Sequence, residues 1–158
     1  MIRYFPEETT IGFQEIPTEI SLIIPFSGCG HNCDGCHSPQ YQDKKNGECF
    51  SWEIFLNLME RYKEKVSCVC FFGGEYSIKL ESFVWNTKYI YEKKVALYSG
   101  YNSIEELPHP EIVSLLDYIK LGQYKKELGG LDCKETNQHL YEIKNKQLID
   151  ITNKFWRE

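Results

Sequence analysis

The stretch ISLIIPFSGCGHNCDGCHSP, residues 20–39, joins a short apolar run to a loop that contains three cysteines. Residues 20–26 predict a buried strand, and a polar loop rich in glycine and cysteine extends from there to about residue 50. The thiols have the spacing C-x3-C-x2-C and belong to Cys29, Cys33 and Cys36. Because a glycine-containing backbone folds tightly, three such thiols can converge on one metal centre.

Beyond this loop, short apolar runs alternate with helical patterns. Apolar residues at helical spacing predict a helix after Ser51, its expected N-cap, and a second helix over 80–91. Shorter helical pieces are predicted at Ser103–Glu106, a capping-box pattern, and at 112–116. Further strands are predicted over 67–72, 94–98, 117–121 and 139–143. The alternation predicts a mostly parallel α/β sheet of about four to six strands, too few for an eight-stranded barrel.

Unusual residues follow the predicted strands at their carboxyl ends. Gly73-Gly74-Glu75 follows the second strand, Ser99–Tyr101 the third and Gly122 the fourth, while the cysteine loop follows the first. The carboxyl ends of parallel strands meet at one edge of a sheet, where α/β folds gather their active sites. We therefore expect one ligand to contact all four loops.

Two metal chemistries fit the cysteine spacing. A structural zinc site needs a fourth ligand, which His31 or His37 would supply. Three thiolates can instead hold three irons of a 4Fe–4S cube and leave the fourth iron open to a substrate or cofactor. The spacing alone leaves both interpretations open.

The composition narrows the class of protein. With 158 residues, of which 42 % are hydrophobic and 26 % charged, the chain is expected to form a single domain over 1–158. A net charge of −5 disfavours partners such as nucleic acid and anionic membranes. The longest apolar run, 22–26, is far shorter than the roughly 20 residues of a membrane span. Seven cysteines and no secretory signal in residues 1–19 predict a reducing, cytoplasmic location.

Five segments between about residues 11 and 143 together resemble a known family. They are GCGHNCDGCHSP at 28–39, FFGGE at 71–75, LYSGY at 97–101, DYIKLGQY at 117–124 and TNQHLY at 136–141. The first two are similar to motifs of the radical S-adenosylmethionine superfamily, and the whole set resembles the small activating proteins of anaerobic ribonucleotide reductase. Many superfamily members have an aromatic residue where this chain has Gly35, whereas His37 after the third cysteine is common in the activating-protein subgroup.

The resemblance implies a fold and two cofactors. The fold is the radical-SAM type, a compact partial (βα) barrel with a mostly parallel sheet. The cofactors are one 4Fe–4S cluster and S-adenosyl-L-methionine, and the implied cluster ligands are Cys29, Cys33 and Cys36. The residues implied to bind S-adenosylmethionine are Gly35, Cys36, His37, Gly73, Gly74, Glu75, Ser99 and Gly100. Within this set Glu75 contacts the amino group, Ser99 and Gly100 lie near the ribose, and the backbone around Gly35 and His37 contacts the adenine.

An activity also follows from the resemblance. The reduced cluster cleaves S-adenosylmethionine to a 5′-deoxyadenosyl radical, which takes a hydrogen atom from a glycine of the large subunit of anaerobic ribonucleotide reductase. The electron comes from a low-potential donor of the flavodoxin or ferredoxin type, and no side chain is required as an acid or base. Between Cys36 and Gly73 there is no space for a ferredoxin-like insert, which argues against activases with additional clusters. The alternatives are an activase of another glycyl-radical enzyme and a zinc-stabilised binding module.

The remaining cysteines have no metal-site spacing. Cys68 and Cys70 lie two apart in a predicted strand and are expected to be small, buried apolar residues. Cys49 and Cys133 lie in loop-like sequence and receive no role. Tyr98 is expected to pack in the core, and Asn137–Gln138 matches a family segment without an evident chemical task.

Overall fold

The structure, a computed structural model, describes residues 2–28 and 39–156. Five residues of the cysteine loop that were predicted to bind the cluster or the cofactor lie outside the described residues. They are Cys29, Cys33, Gly35, Cys36 and His37. What the structure does describe is the sheet, the helices and the loops at the edge where these residues were expected to meet the cofactor.

In the described part of the chain, two α-helices form where the apolar spacing predicts them. Helix α1 spans Trp52–Tyr62 and helix α2 spans Leu80–Tyr89. Ser51 is the N-cap of α1, since its Oγ accepts a hydrogen bond of 3.1 Å from the backbone N–H of Ile54. The predicted start of α1 is therefore confirmed, while α2 ends two residues before the predicted boundary.

Within residues 2–28 and 39–156, nine strands form two sheets. The strands are β1 (Arg3–Tyr4), β2 (Thr10–Gly12), β3 (Ser21–Pro25), β4 (Glu48–Cys49), β5 (Cys68–Phe72), β6 (Lys94–Tyr98), β7 (Tyr118–Leu121), β8 (His139–Lys144) and β9 (Gln147–Asp150). The main sheet has seven strands in the order β2-β3-β5-β6-β7-β8-β9, and β1 pairs with β4 separately. Strands β3, β5, β6 and β7 are parallel, whereas the outer pairings with β2, β8 and β9 are antiparallel. The protein is thus a mixed α/β fold with a parallel sheet at its centre.

The prediction of four to six strands was wrong at the edges of the sheet. Strand β2 has only three residues, and all four residues of β9 are exposed, so neither has an apolar pattern. The hairpin between β8 and β9 turns at Asn145 and Lys146, which have φ angles of 52° and 64°. Positive φ at two successive residues is the geometry of a tight hairpin turn, and asparagine tolerates it. The predicted strand at 139–143 is confirmed as β8.

Different side chains cover the two faces of the sheet. Helices α1 and α2 cover one face, where Phe55 of α1 and Phe83 of α2 pack with their ring centroids 5.1 Å apart. On the other face Cys68 and Cys70 are fully buried in a smaller cluster with Ile16. Burial raises the pKa of both thiols, so they stay protonated and apolar. The expectation that these two cysteines are core residues is confirmed.

The connection from β6 to β7 contains two short 3-10 helices, Ile104–Glu106 and Pro110–Leu115. The capping box predicted here is wrong, because the Ser103 side chain does not cap the first of them. Glu106 instead accepts a hydrogen bond of 3.0 Å from the backbone N–H of Asn102. In the part of the chain that the structure describes, no helix has the length and apolarity needed to cross a membrane.

Candidate cofactor site

Backbone hydrogen bonds continue past the carboxyl ends of the parallel strands and align the loops that follow them. Phe26 N–H donates to the Phe72 carbonyl, Gly73 N–H to the Tyr98 carbonyl, and Ser99 N–H to the Lys120 carbonyl, each at 2.9 Å. The loops after β3, β5, β6 and β7 therefore lie side by side at one edge of the sheet. This confirms the predicted juxtaposition of Gly73–Glu75 with Ser99–Tyr101.

The two glycines after β5 are required by backbone geometry. Gly73 and Gly74 have φ angles of 77° and 86°, in the left-handed region that side chains disfavour. A Cβ on Gly74 would lie 2.7 Å from Cδ2 of Phe26, whereas a Cβ on Gly73 would meet nothing closer than the Phe26 carbonyl oxygen at 3.8 Å. Gly74 therefore lets the loop turn tightly against the Phe26 ring immediately before the buried residue Glu75.

Glu75 is a buried carboxylate with an open hydrogen-bonding position. Its side chain is 5 % exposed, and its Oε2 atom has no hydrogen-bond partner among the described residues. Burial raises the pKa of this carboxyl to about 7, although a hydrogen bond from its own backbone, the Lys120 charge and the Ser99 hydroxyl each lower it. A buried carboxylate oxygen without a partner is costly unless a ligand satisfies it. An ammonium group fits this atom in charge and in hydrogen-bonding capacity.

Lys120 is a second buried charge at this edge, and it was not predicted from the sequence. It is 8 % exposed, and its Nζ donates hydrogen bonds of 3.0 Å to the carbonyl oxygens of Ser99 and Gly122. The ammonium thereby ties the loop after β6 to the loop after β7. It also places a positive charge near Glu75. The sequence feature that could have indicated this role is a lysine within an otherwise apolar strand, in the segment DYIKLGQY.

The Asn137–Gln138 segment closes over the loop after β7. Gly122 has a φ angle of 111°, and a Cβ there would lie 2.6 Å from the Asn137 carbonyl oxygen. The Asn137 amide donates to the Gln123 carbonyl at 2.8 Å, and the Gln138 amide donates to the Gly122 carbonyl at 3.4 Å. These contacts give the segment a structural role, which is to hold Gly122 against the sheet edge.

Tyr76 connects the Gly-Gly-Glu loop to the stem of the cysteine loop, a name used here for the two described residues before it, Ser27 and Gly28. Its hydroxyl donates a hydrogen bond of 2.9 Å to the carbonyl of Ser27, two residues before Cys29. The backbone N–H of Gly28 donates to the Tyr41 carbonyl at 2.6 Å, so the two ends of the described chain that flank the cysteines are joined. Tyr76 was not predicted from the sequence, because a tyrosine after Gly-Gly-Glu does not by itself indicate a particular contact.

Residues 20–149 match the family described as the 4Fe-4S single cluster domain. The chain belongs to this family. A relative, the anaerobic ribonucleoside-triphosphate reductase-activating protein of Enterobacteria phage T4, is 25 % identical over 114 residues, which cover 68 % of this chain and 72 % of that protein. No solved structure gives a significant match.

Membership in the 4Fe-4S single cluster domain family bears on the two metal chemistries that the cysteine spacing left open. It supports an iron–sulfur cluster over structural zinc. Among the described residues, no group of three His, Cys, Asp or Glu side chains is placed to hold a metal. Of the cysteines that the structure describes, Cys49 and Cys133 are at least partly exposed free thiols, and Cys68 and Cys70 are buried.

The ionisation of Glu75 gives a testable prediction for the cofactor-free protein. Since the folded-state pKa is about 7 and the ordinary value is 4.5, only the folded protein keeps this proton between those values. The free energy of unfolding therefore decreases as the pH rises from 4.5 to about 7, where the stabilising contribution of the protonated Glu75 is lost. We expect its carboxyl carbon to titrate near pH 7 in ¹³C NMR, with Glu75→Gln providing the assignment.

The matched variants for this titration are two lysine substitutions. Lys120→Met removes the nearby positive charge and is expected to move the Glu75 midpoint upward, whereas Lys125→Met, at an exposed position, leaves it in place. A Glu75 midpoint near 4.5 in the wild-type protein is the contrary result, and it would mean that this carboxylate is solvated.

Proposed function

We propose that this chain is a radical S-adenosylmethionine activase, an iron–sulfur enzyme that generates a glycyl radical on an anaerobic ribonucleotide reductase. The observation that carries the proposal is the buried Glu75 carboxylate, whose Oε2 lacks a partner among the described residues at the sheet edge that the cysteine loop also follows. Membership in a 4Fe–4S family and the name of the phage T4 relative support it. In this proposal the sheet is the partial barrel of that superfamily, and the protein acts in the cytoplasm.

Cys29, Cys33 and Cys36 are the proposed ligands of three irons of the cluster. Three protein thiolates leave the fourth iron without a protein ligand. An open coordination position of this kind is typical of catalytic metal sites. When bound, the reduced cluster supplies the electron that splits S-adenosylmethionine into methionine and the 5′-deoxyadenosyl radical. The Tyr76 hydroxyl and the Gly28–Tyr41 hydrogen bond hold the stem of this loop against the Gly-Gly-Glu loop.

The residues at the sheet edge bind and orient the cofactor. Glu75 accepts a charge-assisted hydrogen bond from the ammonium of the methionine moiety through its open oxygen, in a site that excludes water. Lys120 keeps the loops in register through its two carbonyl contacts and favours the ionised form of Glu75. We place the ribose at Ser99–Gly100 and the adenine at the backbone around Gly35, Cys36 and His37.

The proposed substrate is a glycine Cα–H of the reductase. The name of the phage T4 relative supplies the partner class, and the activity requires a low-potential donor such as a flavodoxin or ferredoxin. Hydrogen-atom abstraction needs no acid or base. In this proposal Glu75 binds the cofactor through its unpartnered oxygen, and Lys120 binds two backbone carbonyls. An activase of another glycyl-radical enzyme has the same site and differs only in its partner.

The test is formation of the partner radical. Anaerobically reconstituted and reduced protein, mixed with S-adenosylmethionine and the cognate reductase, is expected to give a stable glycyl-radical signal in electron paramagnetic resonance. One 5′-deoxyadenosine should form for each radical.

The matched control for this test is a reductase in which the radical glycine is replaced by alanine, which should show no such signal. If 5′-deoxyadenosine accumulates with the cognate reductase and no radical appears on it, the partner is a different protein.

A further inference from the structure

A concave site lies beside the sheet, lined by residues of β2, by Ile23 of β3 and by Phe72 at the carboxyl end of β5. It has a volume of about 460 Å³, and its principal lining side chains are Glu8, Phe13, Glu15, Ile23, Tyr41 and Phe72. Phe72 is the last residue of β5 and precedes Gly73, so this site adjoins the Gly-Gly-Glu loop. We call it the β2 pocket. Glu75 is not among the described residues that line it.

The β2 pocket is acidic. Glu8 and Glu15 contribute carboxylates, and no lysine or arginine is among the described residues that line it. Glu8 accepts a hydrogen bond of 3.1 Å from the Gln40 amide. The Oε1 atom of Glu15 is buried and has no hydrogen-bond partner among the described residues. The pocket therefore has two carboxylates and no described cation in its lining, and a cation would complement it.

Gly12 provides the space that this carboxylate occupies. A Cβ on Gly12 would overlap with Oε1 of Glu15 and would approach Cδ1 of Ile23 to 2.6 Å. Because Gly12 does not have a positive φ, its backbone does not require glycine. The absence of a side chain at position 12 thus serves to keep the Glu15 carboxylate in the pocket.

The other walls of the β2 pocket are aromatic. Phe13 is 66 % exposed although it is a large apolar side chain, and it lies at the rim. Phe72 stacks on Tyr98 with ring centroids 4.7 Å apart, which fixes its orientation. Tyr41 completes the aromatic lining. Aromatic faces together with carboxylates are the environment that organic cations prefer, and the planar guanidinium uses both better than an ammonium does.

The pocket also borders an open strand. Strand β2 is the last strand on its side of the sheet, and its residues Thr10–Gly12 line the pocket. An edge strand offers unpaired backbone groups to an extended polypeptide, and side-chain pockets beside such an edge give the sequence specificity. A peptide added here would present one of its side chains to Glu15.

We propose that the β2 pocket binds the guanidinium of an arginine in an extended segment of the protein substrate. The inference rests on the proposed function only in assuming that the substrate is a protein. Glu15 accepts hydrogen bonds from the guanidinium, and Phe13 covers its face. The neighbouring Gly-Gly-Glu loop then lies within a few residues of the bound segment, so the pocket sets the register in which the protein substrate approaches the cofactor.

The probe is the pentapeptide acetyl-Gly-Gly-Arg-Gly-Gly-amide, titrated into the full-length protein and followed by the backbone amide resonances of residues 10–15. The matched peptide contains citrulline, which has nearly the shape of arginine without the charge. We expect shifts with the arginine peptide at millimolar concentration and at least tenfold weaker binding of the citrulline peptide. Arginine amide alone should bind more weakly than the pentapeptide, since it lacks the strand contacts.

Two variants test the assignment of residues. Glu15→Gln is expected to weaken arginine-peptide binding about tenfold to a hundredfold, whereas Glu7→Gln, at an exposed position outside the pocket, leaves it unchanged. Phe13→Leu is expected to weaken it by a smaller factor and to fold as the wild-type protein does, because Phe13 is 66 % exposed. Equal binding of both peptides, equal binding of arginine amide and the pentapeptide, or an unaffected Glu15→Gln variant would overturn the proposal.

Failure of this inference is distinguishable from failure of the proposed function. Glu15→Gln is expected to keep the iron content and the partner-free cleavage of S-adenosylmethionine of the wild-type protein, since no cofactor contact is proposed for Glu15. If the wild-type protein does not cleave S-adenosylmethionine but still prefers the arginine peptide, the proposed chemistry fails and the β2 pocket stands. If it cleaves S-adenosylmethionine and shows no such preference, only the β2 pocket fails.

Discussion

Replacing any one of Cys29, Cys33 and Cys36 by alanine is expected to abolish formation of the cluster and cleavage of S-adenosylmethionine. Three thiolates hold three of the four irons of the cube, and after the loss of one of them only two irons keep a protein ligand, which is too few to retain the cluster. The wild-type protein should contain about four irons per chain after anaerobic reconstitution. Iron and sulfide analysis, together with the visible spectrum of each variant, measures this outcome.

The matched controls are Cys68→Ala and Cys70→Ala. Both thiols are fully buried and protonated on the sheet face away from the helices, so we expect these variants to keep the iron content of the wild-type protein. Their cost is a small cavity and a modest loss of stability. One zinc per chain without iron uptake in the wild-type protein would instead favour the structural zinc site.

Gly74→Val is expected to abolish measurable binding of S-adenosylmethionine. A valine at a φ angle of 86° is strained, and its Cβ would lie 2.7 Å from the buried ring of Phe26. Strain and overpacking together cost about 2–5 kcal/mol, and we expect the loop to relieve them by a backbone shift that displaces Glu75. Glu75→Gln removes one charge-assisted hydrogen bond, which is worth roughly 1.5–3 kcal/mol or a tenfold to hundredfold change in affinity. Calorimetric titration of reconstituted protein compares the two.

Gly73→Ala is the matched control for the steric part of this effect. Gly73 has nearly the same φ, 77°, but a Cβ there meets nothing closer than 3.8 Å. Its variant therefore has the backbone strain without the collision and is expected to retain weakened binding. Wild-type affinity in Gly74→Val would show that this loop does not form the cofactor site.

The centre of the sheet was predictable because it is buried on both faces. Strands β3, β5, β6 and β7 consist of apolar runs closed by glycine or proline, and the helices between them have clear apolar spacing. Strands β2 and β9 were not predictable in this way. They lie at the edges, where one short strand and one exposed strand are stabilised by backbone pairing that leaves no apolar pattern in the sequence.

The same distinction holds at the site. Gly73, Gly74 and Glu75 were predictable because two adjacent glycines after a strand indicate a tight turn with positive φ angles, and the acidic residue follows this turn directly. Lys120 and Tyr76 were missed because their importance lies in contacts with carbonyl groups of loops that are distant in sequence. Only the three-dimensional register of neighbouring strands brings those carbonyls within reach.

The central claim is that a cluster on the cysteine loop cleaves S-adenosylmethionine bound at Glu75. The most direct measurement is electron paramagnetic resonance of the anaerobically reconstituted and reduced protein, before and after addition of S-adenosylmethionine, with 5′-deoxyadenosine measured in the same samples. We predict a reduced 4Fe–4S signal that changes when the cofactor binds and decays as 5′-deoxyadenosine forms. A reduced cluster whose signal does not change when S-adenosylmethionine is added, with no 5′-deoxyadenosine formed, would contradict the claim.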